Sequence, residues 1–333
     1  MSKSGTALMT IKSMPGGSKL TAFAAVLLLS LLPFVQAYSV VTDEPIEDLL
    51  LSFVHNGSSQ LFDGTFVYLY GDQIQTIKVH RMPNDKGQVV ESFSHSDHQQ
   101  KNHSRVLVNQ FCSLKNGWQF QFNAMSSSFP FRINNRFKHL QKYYQFESIA
   151  PKKVADVETQ GISIKALDPY RYSYKLWFEP QTATLMKYQL LDKNNKIIEQ
   201  YLFTDISFYP STIPPVSQKR NPSCYKRFAG LQTATLKYLN LSSLPSGYEP
   251  VSYRKGTING SERMAEQFQI SDGLSDVSVF IEDIVKEGKR ISGVVKMGPM
   301  TVAGKTLGSH QVTVIGAVPV AGALKILNAV KVP

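Results

Sequence analysis

The run YRYSYKLWF, from Tyr170 to Phe178, alternates so strictly that a β-strand is the element able to use it. With a side-chain period of two, Tyr170, Tyr172, Tyr174, Leu176 and Phe178 share one face. Arg171, Ser173, Lys175 and Trp177 take the other. Alternation returns after the turn EPQT in LMKYQLLD, and again after DKNNK in IIEQYLFTDISF. Three consecutive strands joined by polar turns predict an antiparallel meander with one strongly apolar face. Five large side chains on one strand fix its register, because a one-residue slip would turn all of them to water. Upstream, PIEDLLLSFVH has helical spacing, and GTFVYLY then sets Phe66, Tyr68 and Tyr70 on one face. QIQTIKVHRM and QVVESF, separated by NDKG, read as further strands. The apolar face is either a filled aromatic core or a partly filled concavity with room for a ligand. Its candidate lining residues are Phe66, Tyr68, Tyr170, Tyr172, Tyr174 and Phe178.

The first residues carry a targeting pattern. Lys3, Lys12 and Lys19 precede the apolar run LTAFAAVLLLSLLPF, which is followed by VQA. Basic residues, a short apolar core and a small-residue end together predict a secretory signal peptide over residues 1–37, cleaved to leave Tyr38 first. The apolar run is shorter than the ~18–20 residues that span a bilayer. The formal net charge is +11, part of which leaves with the leader. Such an excess favours anionic partners, and export makes nucleic acid an unsuitable one. Only two cysteines, Cys112 and Cys224, are present, so no disulfide framework carries the fold, although an oxidising compartment would allow the two to pair.

The composition changes at YPSTIPPVSQKRNPSCYKRFAG, which is rich in proline and basic residues and lacks a clear period. It predicts an interdomain linker or long crossover over residues 209–230, dividing a first domain at 38–208 from a second at 231–333. In the second domain MAEQFQIS and LSDVSVFIED read as strands joined through Asp272-Gly273, a strong hairpin signature. HQVTVIGAV is another strand, and Pro319 opens a terminal amphipathic helix, PVAGALKILNAV. The expected fold is α+β, mostly antiparallel β, with a small sheet-and-helix domain at the C-terminal end.

No pattern argues for an enzyme. GPMTVAGKT has five residues between Gly298 and Gly304 where a phosphate-binding loop has four, and a strand rather than a helix follows. It reads as a glycine-rich hairpin connection. HSDHQQKNH brings His95, His98 and His103 close in sequence, but in a polar stretch with nothing to fix ligand geometry. No Gly-x-Ser-x-Gly elbow occurs. The expectation is a protein with no cofactor and no metal. The basic residues Lys219, Arg220, Lys226 and Arg227 form the densest positive cluster of the mature chain and are candidates for docking an acidic polypeptide. Asp272 and Gly273 join them if their hairpin leaves an edge open to an added peptide strand.

The segment DPYRYSYKLWFEPQTATLMKYQLLDKNNKIIEQYLFTDI resembles the corresponding hairpins of the periplasmic sigma-E regulators of the RseB/MucB family. ISDGLSDVSVFIE and HQVTVIGAVPVAGALKILNAV are similar to that family's C-terminal domain. The likeness is weak from Ser94 to Gln110. It implies a LolA-like unclosed β-barrel wrapped on helices for the N-terminal domain. It also implies a periplasmic protein of a Gram-negative bacterium that binds the periplasmic domain of a membrane anti-sigma factor. That protein would shield its partner from site-1 proteolysis and let go on lipid, lipopolysaccharide or mislocalised lipoprotein signals. A homodimer is compatible with this role. The alternative from a different class is a lipid or lipoprotein carrier using the same open barrel.

Overall fold

A computed structural model describes residues 46–50, 60–85, 89–95, 103–106, 111–113, 119–121, 137–210, 224–257, 264–284 and 290–332. Statements on the signal peptide, Lys219, Arg220 and His98 fall outside these residues. So do statements on the side chains of His95, His103, Cys112, Cys224, Lys226 and Arg227.

Two antiparallel sheets organise the chain. The larger has nine strands in the order β4-β3-β2-β1-β11-β10-β9-β8-β7. It consists of two meanders. The first is β1 (Leu61–Tyr70), β2 (Gln73–Pro83), β3 (Val89–His95) and β4 (His103–Val106). The second is β7 (Tyr144–Val154), β8 (Val157–Ala166), β9 (Ser173–Glu179), β10 (Thr184–Leu191) and β11 (Ile197–Tyr209). They meet where β1 pairs with β11, from Leu61↔Tyr209 to Tyr70↔Glu199. The ends β4 and β7 do not pair, so the barrel is unclosed. Strands β5 (Phe111–Ser113) and β6 (Gln119–Gln121) form a separate pair.

Local chemistry explains the turns. After β9 the Glu179 carboxylate accepts hydrogen bonds from the backbone N–H of Gln181 at 3.0 Å and of Thr182 at 2.6 Å. After β10 Asp192 Oδ1 accepts from the N–H of Asn194 and Lys196, and Asn195 takes the left-handed φ of 60° that asparagine tolerates. Register shifts at Thr65/Phe66, Ile149/Lys152 and Leu185/Lys187 are bulges, which bend strands and increase their twist.

One face of this sheet carries the core. Phe62 and Phe66 of β1, Ile162 and Ile164 of β8, Leu176 and Phe178 of β9, and Tyr188 of β10 are buried in a single cluster. The helical residues 46–50 (α1) add Leu49 and Leu50, and α2 (Phe137–Leu140) adds Phe137 and Leu140. The stretch from Tyr174 to Phe178 thus lies as its alternation predicts. Its first residues do not: β9 begins at Ser173, and Tyr170 and Arg171 lie in the turn before it. The physical reason is the ion pair described below, which takes Arg171 out of the strand.

The second sheet has the order β12-β13-β14-β17-β16-β15. Its strands are β12 (Glu249–Thr257), β13 (Met264–Ser271), β14 (Asp276–Asp283), β15 (Gly293–Met297), β16 (Met300–Leu307) and β17 (His310–Gly316). Helices α3 (Cys224–Tyr238) and α4 (Val320–Ala329) share its core through Leu231, Ala234, Ala323 and Ile326. In GPMTVAGKT only Gly298-Pro299 is the tight β15–β16 connection, with Gly298 at φ 58°, and the remainder lies in β16. The segment expected to link the domains is helical from Cys224 onward. Leu231, Ala234 and Tyr238 recur at helical spacing, and Gly230 interrupted that pattern in the sequence.

Candidate functional site

The inner face of the large sheet is lined by a row of rings running across the strands. Tyr144 and Tyr174 are 6.4 Å apart, Tyr174 and Tyr188 6.2 Å, and Tyr188 and Tyr201 5.7 Å with nearly parallel planes. Phe66 continues the row at 5.6 Å from Tyr201. Cross-strand register produces it: Tyr188 faces Tyr201, and Tyr201 faces Tyr68. Burial pushes the hydroxyls of Tyr144, Tyr174, Tyr188 and Tyr201 well above the usual tyrosine range, so they stay neutral. The row is packed as core: its rings are at most 5% exposed, so of the two sequence expectations the filled aromatic core describes these positions. On the opposite face Trp177 donates to the Ala150 carbonyl at 3.1 Å, with Lys152 and Lys187 each 5.3 Å from its ring.

Beside this face the two sheets are locked by Arg171. Its Nε donates to Asp272 Oδ2 at 2.8 Å, its Nη1 pairs with Asp168, and its Nη2 donates to the Ser246 carbonyl. The side chains of Arg171 and Asp272 are both 0% exposed. The guanidinium lies over the rings of Tyr143 at 4.9 Å, Tyr144 at 5.7 Å and Tyr248 at 4.6 Å. Burial, the largest single influence, lowers its pKa, but Asp272, Tyr248, Tyr144 and Asp168 together outweigh it and the value is raised. Asp272 is otherwise saturated. Tyr144 Oη donates to it at 2.7 Å, and the backbone N–H groups of Leu274 and Ser275 donate to its Oδ1 at 2.9 and 2.8 Å. The same turn sends Leu274 into the core of the large sheet. Gly322 of α4 lies against the Tyr170 carbonyl, where a Cβ would come within 2.4 Å.

A second buried acid sits at the edge of the aromatic face. Glu199 of β11 accepts a hydrogen bond from Tyr68. Burial raises its pKa, and the Tyr68 bond partly offsets this. A raised carboxyl pKa means that the folded state favours the proton. That contribution is fully present below the unfolded value of about 4.3 and is lost as pH rises through the folded value. Glu199→Gln is therefore expected to raise the denaturant midpoint at neutral pH and to leave it unchanged at pH below the unfolded value. Equal midpoints at both would contradict a destabilising charge.

The residues singled out in the sequence scatter over this frame. Phe66, Tyr172, Tyr174 and Phe178 are buried in the large core, and Tyr68 packs against it half-buried. Tyr170 lies outside the strand, at the α4 contact. Lys226 and Arg227 belong to α3. Asp272 and Gly273 form the β13–β14 turn, with Gly273 at φ 104°. Both strands are interior, paired on their other sides with β12 and β17, so this hairpin has no open edge. Asp272 is committed to Arg171. Sequence reasoning missed Arg171, whose one visible trace is a charge inside an aromatic run.

Residues 45–223 match the family model of the MucB/RseB N-terminal domain, and residues 233–331 match that of the MucB/RseB C-terminal domain. The sigma-E factor regulatory protein RseB of Salmonella typhimurium is 26% identical over 209 residues, covering 61% of this chain and 64% of its own length. The chain thus spans just under two thirds of that relative in the matched region. The sigma factor AlgU regulatory protein MucB of Pseudomonas aeruginosa is 22% identical over 324 residues, covering 91% of this chain and 96% of that protein. In fold, the chain is similar to MucB in a crystal structure of its complex with MucA(peri). There the TM-score is 0.60 at 18% identity, over 85% of this chain and 97% of that one. The Pseudomonas aeruginosa MucA/MucB complex gives 0.62 at 19% identity, covering 86% and 98%.

Proposed function

Since the chain belongs to the MucB/RseB family, we propose that it is a periplasmic regulator of the sigma-E envelope stress response. It binds the periplasmic region of a membrane anti-sigma factor and shields that region from the first protease to cut it. The observation that carries this reading is the match of both domain models, in order, on one chain. The relatives named as sigma factor regulators, and the MucB solved with MucA(peri), support it. The Arg171–Asp272 junction supports a binding role as well, since it holds two sheets as one preformed surface, which lowers the ordering cost of association.

Release follows from the aromatic face. An acyl chain that parted this packed face beside the half-buried Tyr68 would act as a signal if it favoured the partner-free state, because a ligand shifts an equilibrium only by its differential affinity. The same face favours the second reading, a lipid or lipoprotein carrier. One experiment separates them. The mature protein is incubated with the anti-sigma factor's periplasmic domain and the site-1 protease, with and without lipopolysaccharide. The expected result is protection that lipopolysaccharide abolishes. Cleavage at an unchanged rate under saturating protein would leave the carrier reading in place.

A further inference from the structure

The sheet edges whose side chains are described are β7, β12 and β15, and they are not alike. Strand β7 carries Pro151, a bulge between Ile149 and Lys152, and the pair Lys152-Lys153. Strand β12 carries Pro250, a register break beside it, and Arg254-Lys255. These are the devices by which proteins discourage an edge from pairing with a further strand. Strand β15, GVVKM, has neither proline nor bulge. Its register with β16 runs unbroken from Gly293↔Gly304 to Met297↔Met300. Among the described residues no strand pairs with its outer side.

The side chains give this edge a direction and a chemistry. Val294 and Lys296 lie opposite the buried Ala303 and Thr301, on the core side of the sheet. Lys296 Nζ is 5.9 Å from the Tyr172 ring centroid, so this side faces the inner end of the large sheet. Val295 and Met297 point the other way and are 54% and 57% exposed. Val295 faces Val302, which faces Ile315, so an apolar shelf extends inward from the edge on that side. Arg290, exposed just before β15, adds a further positive charge.

We propose that β15 is the docking edge for the anti-sigma factor, which adds an extended strand bearing apolar residues two apart with an acidic residue between them. This rests on the family reading above and assigns it a place. The apolar pair lands on the Val295–Met297 shelf, the acid meets Lys296, and the backbone of the added strand completes the open ladder. The positive charges of Arg290 and Lys296 disfavour pairing with a second copy of this edge and favour an acidic strand.

The test uses the whole mature chain and the anti-sigma factor's periplasmic domain. Calorimetry measures binding to wild type, Val295→Glu and Met297→Glu, both substitutions at exposed positions, and amide exchange follows residues 293–297. The expected result is binding by wild type, protection of these amides in the complex, and affinity weaker by about tenfold or more in each variant. Tenfold corresponds to roughly 1.4 kcal/mol, and it arises because each variant puts a carboxylate where the added strand's apolar side chains would cover it. Equal binding by all three, with no protection at 293–297, overturns the site and leaves the family reading standing. No binding by wild type removes the family reading and this site with it. A wild-type dimer that Val295→Glu makes monomeric, with partner binding unchanged, assigns the edge to self-pairing and also overturns the proposal.

Discussion

Arg171→Ala is expected to destabilise the protein by about 3–5 kcal/mol, because it leaves the Asp272 carboxylate buried without its cation. The loss is larger than that of a surface ion pair, for which roughly 0–1 kcal/mol is usual. Three rings also lose the group that fills the space between them. A second consequence is specific to this location. The pair joins two sheets with separate cores, so the variant is expected to unfold in two transitions where wild type shows one. Urea titration followed by intrinsic fluorescence and by far-ultraviolet circular dichroism reads both effects. The double variant Arg171→Met with Asp272→Asn removes both charges and keeps the side-chain oxygen that accepts from Leu274 and Ser275. It is expected to recover a large share of the loss. A single transition at the wild-type midpoint in Arg171→Ala would show that the pair does not hold the sheets together.

Phe178→Ala is expected to cost about 3–5 kcal/mol, the range for emptying a fully buried aromatic position. Phe178 is 0% exposed and lies between Leu185 of β10 and Gln160 of β8 in register. Tyr170→Ala serves as its partner experiment. The alternation of YRYSYKLWF puts the two residues on one face, yet Tyr170 is half-buried in a turn. Its loss is expected to be roughly 1 kcal/mol or less. Chemical denaturation of both variants decides between strand phase and observed position. Equal costs would restore Tyr170 to the strand.

These two positions also show where the sequence was legible. Strands interior to a sheet with one dry face, such as β9, β10, β13 and β14, must alternate to keep water out, and they were readable at nearly their observed limits. Strands β7 and β12 were not. As edges they are largely exposed, so their inward positions need not be apolar, and each contains a proline. Strand β16 sets Thr301, Ala303 and Lys305 on one side and keeps no apolar period to read. The Arg171 junction was hidden for a different reason. Its two halves lie 101 residues apart, one inside a run that alternates like a strand and the other in an ordinary turn, and nothing local pairs them. Asp272-Gly273 announced a hairpin correctly, while the binding edge assigned to it belongs to interior strands.

The seam between β1 and β11 bears on how such a chain folds. Each meander of the large sheet forms from neighbours in sequence, but the seam joins segments more than a hundred residues apart. Loop-closure entropy must be met before that pairing returns any energy, which makes sheets of this kind slow to form. The first meander therefore waits, with an unsatisfied edge, until the last strand of the second has emerged. For a chain exported as proposed above, that delay favours passage through a membrane translocase before folding, since the strand that joins the two meanders is the last of its sheet to be synthesised.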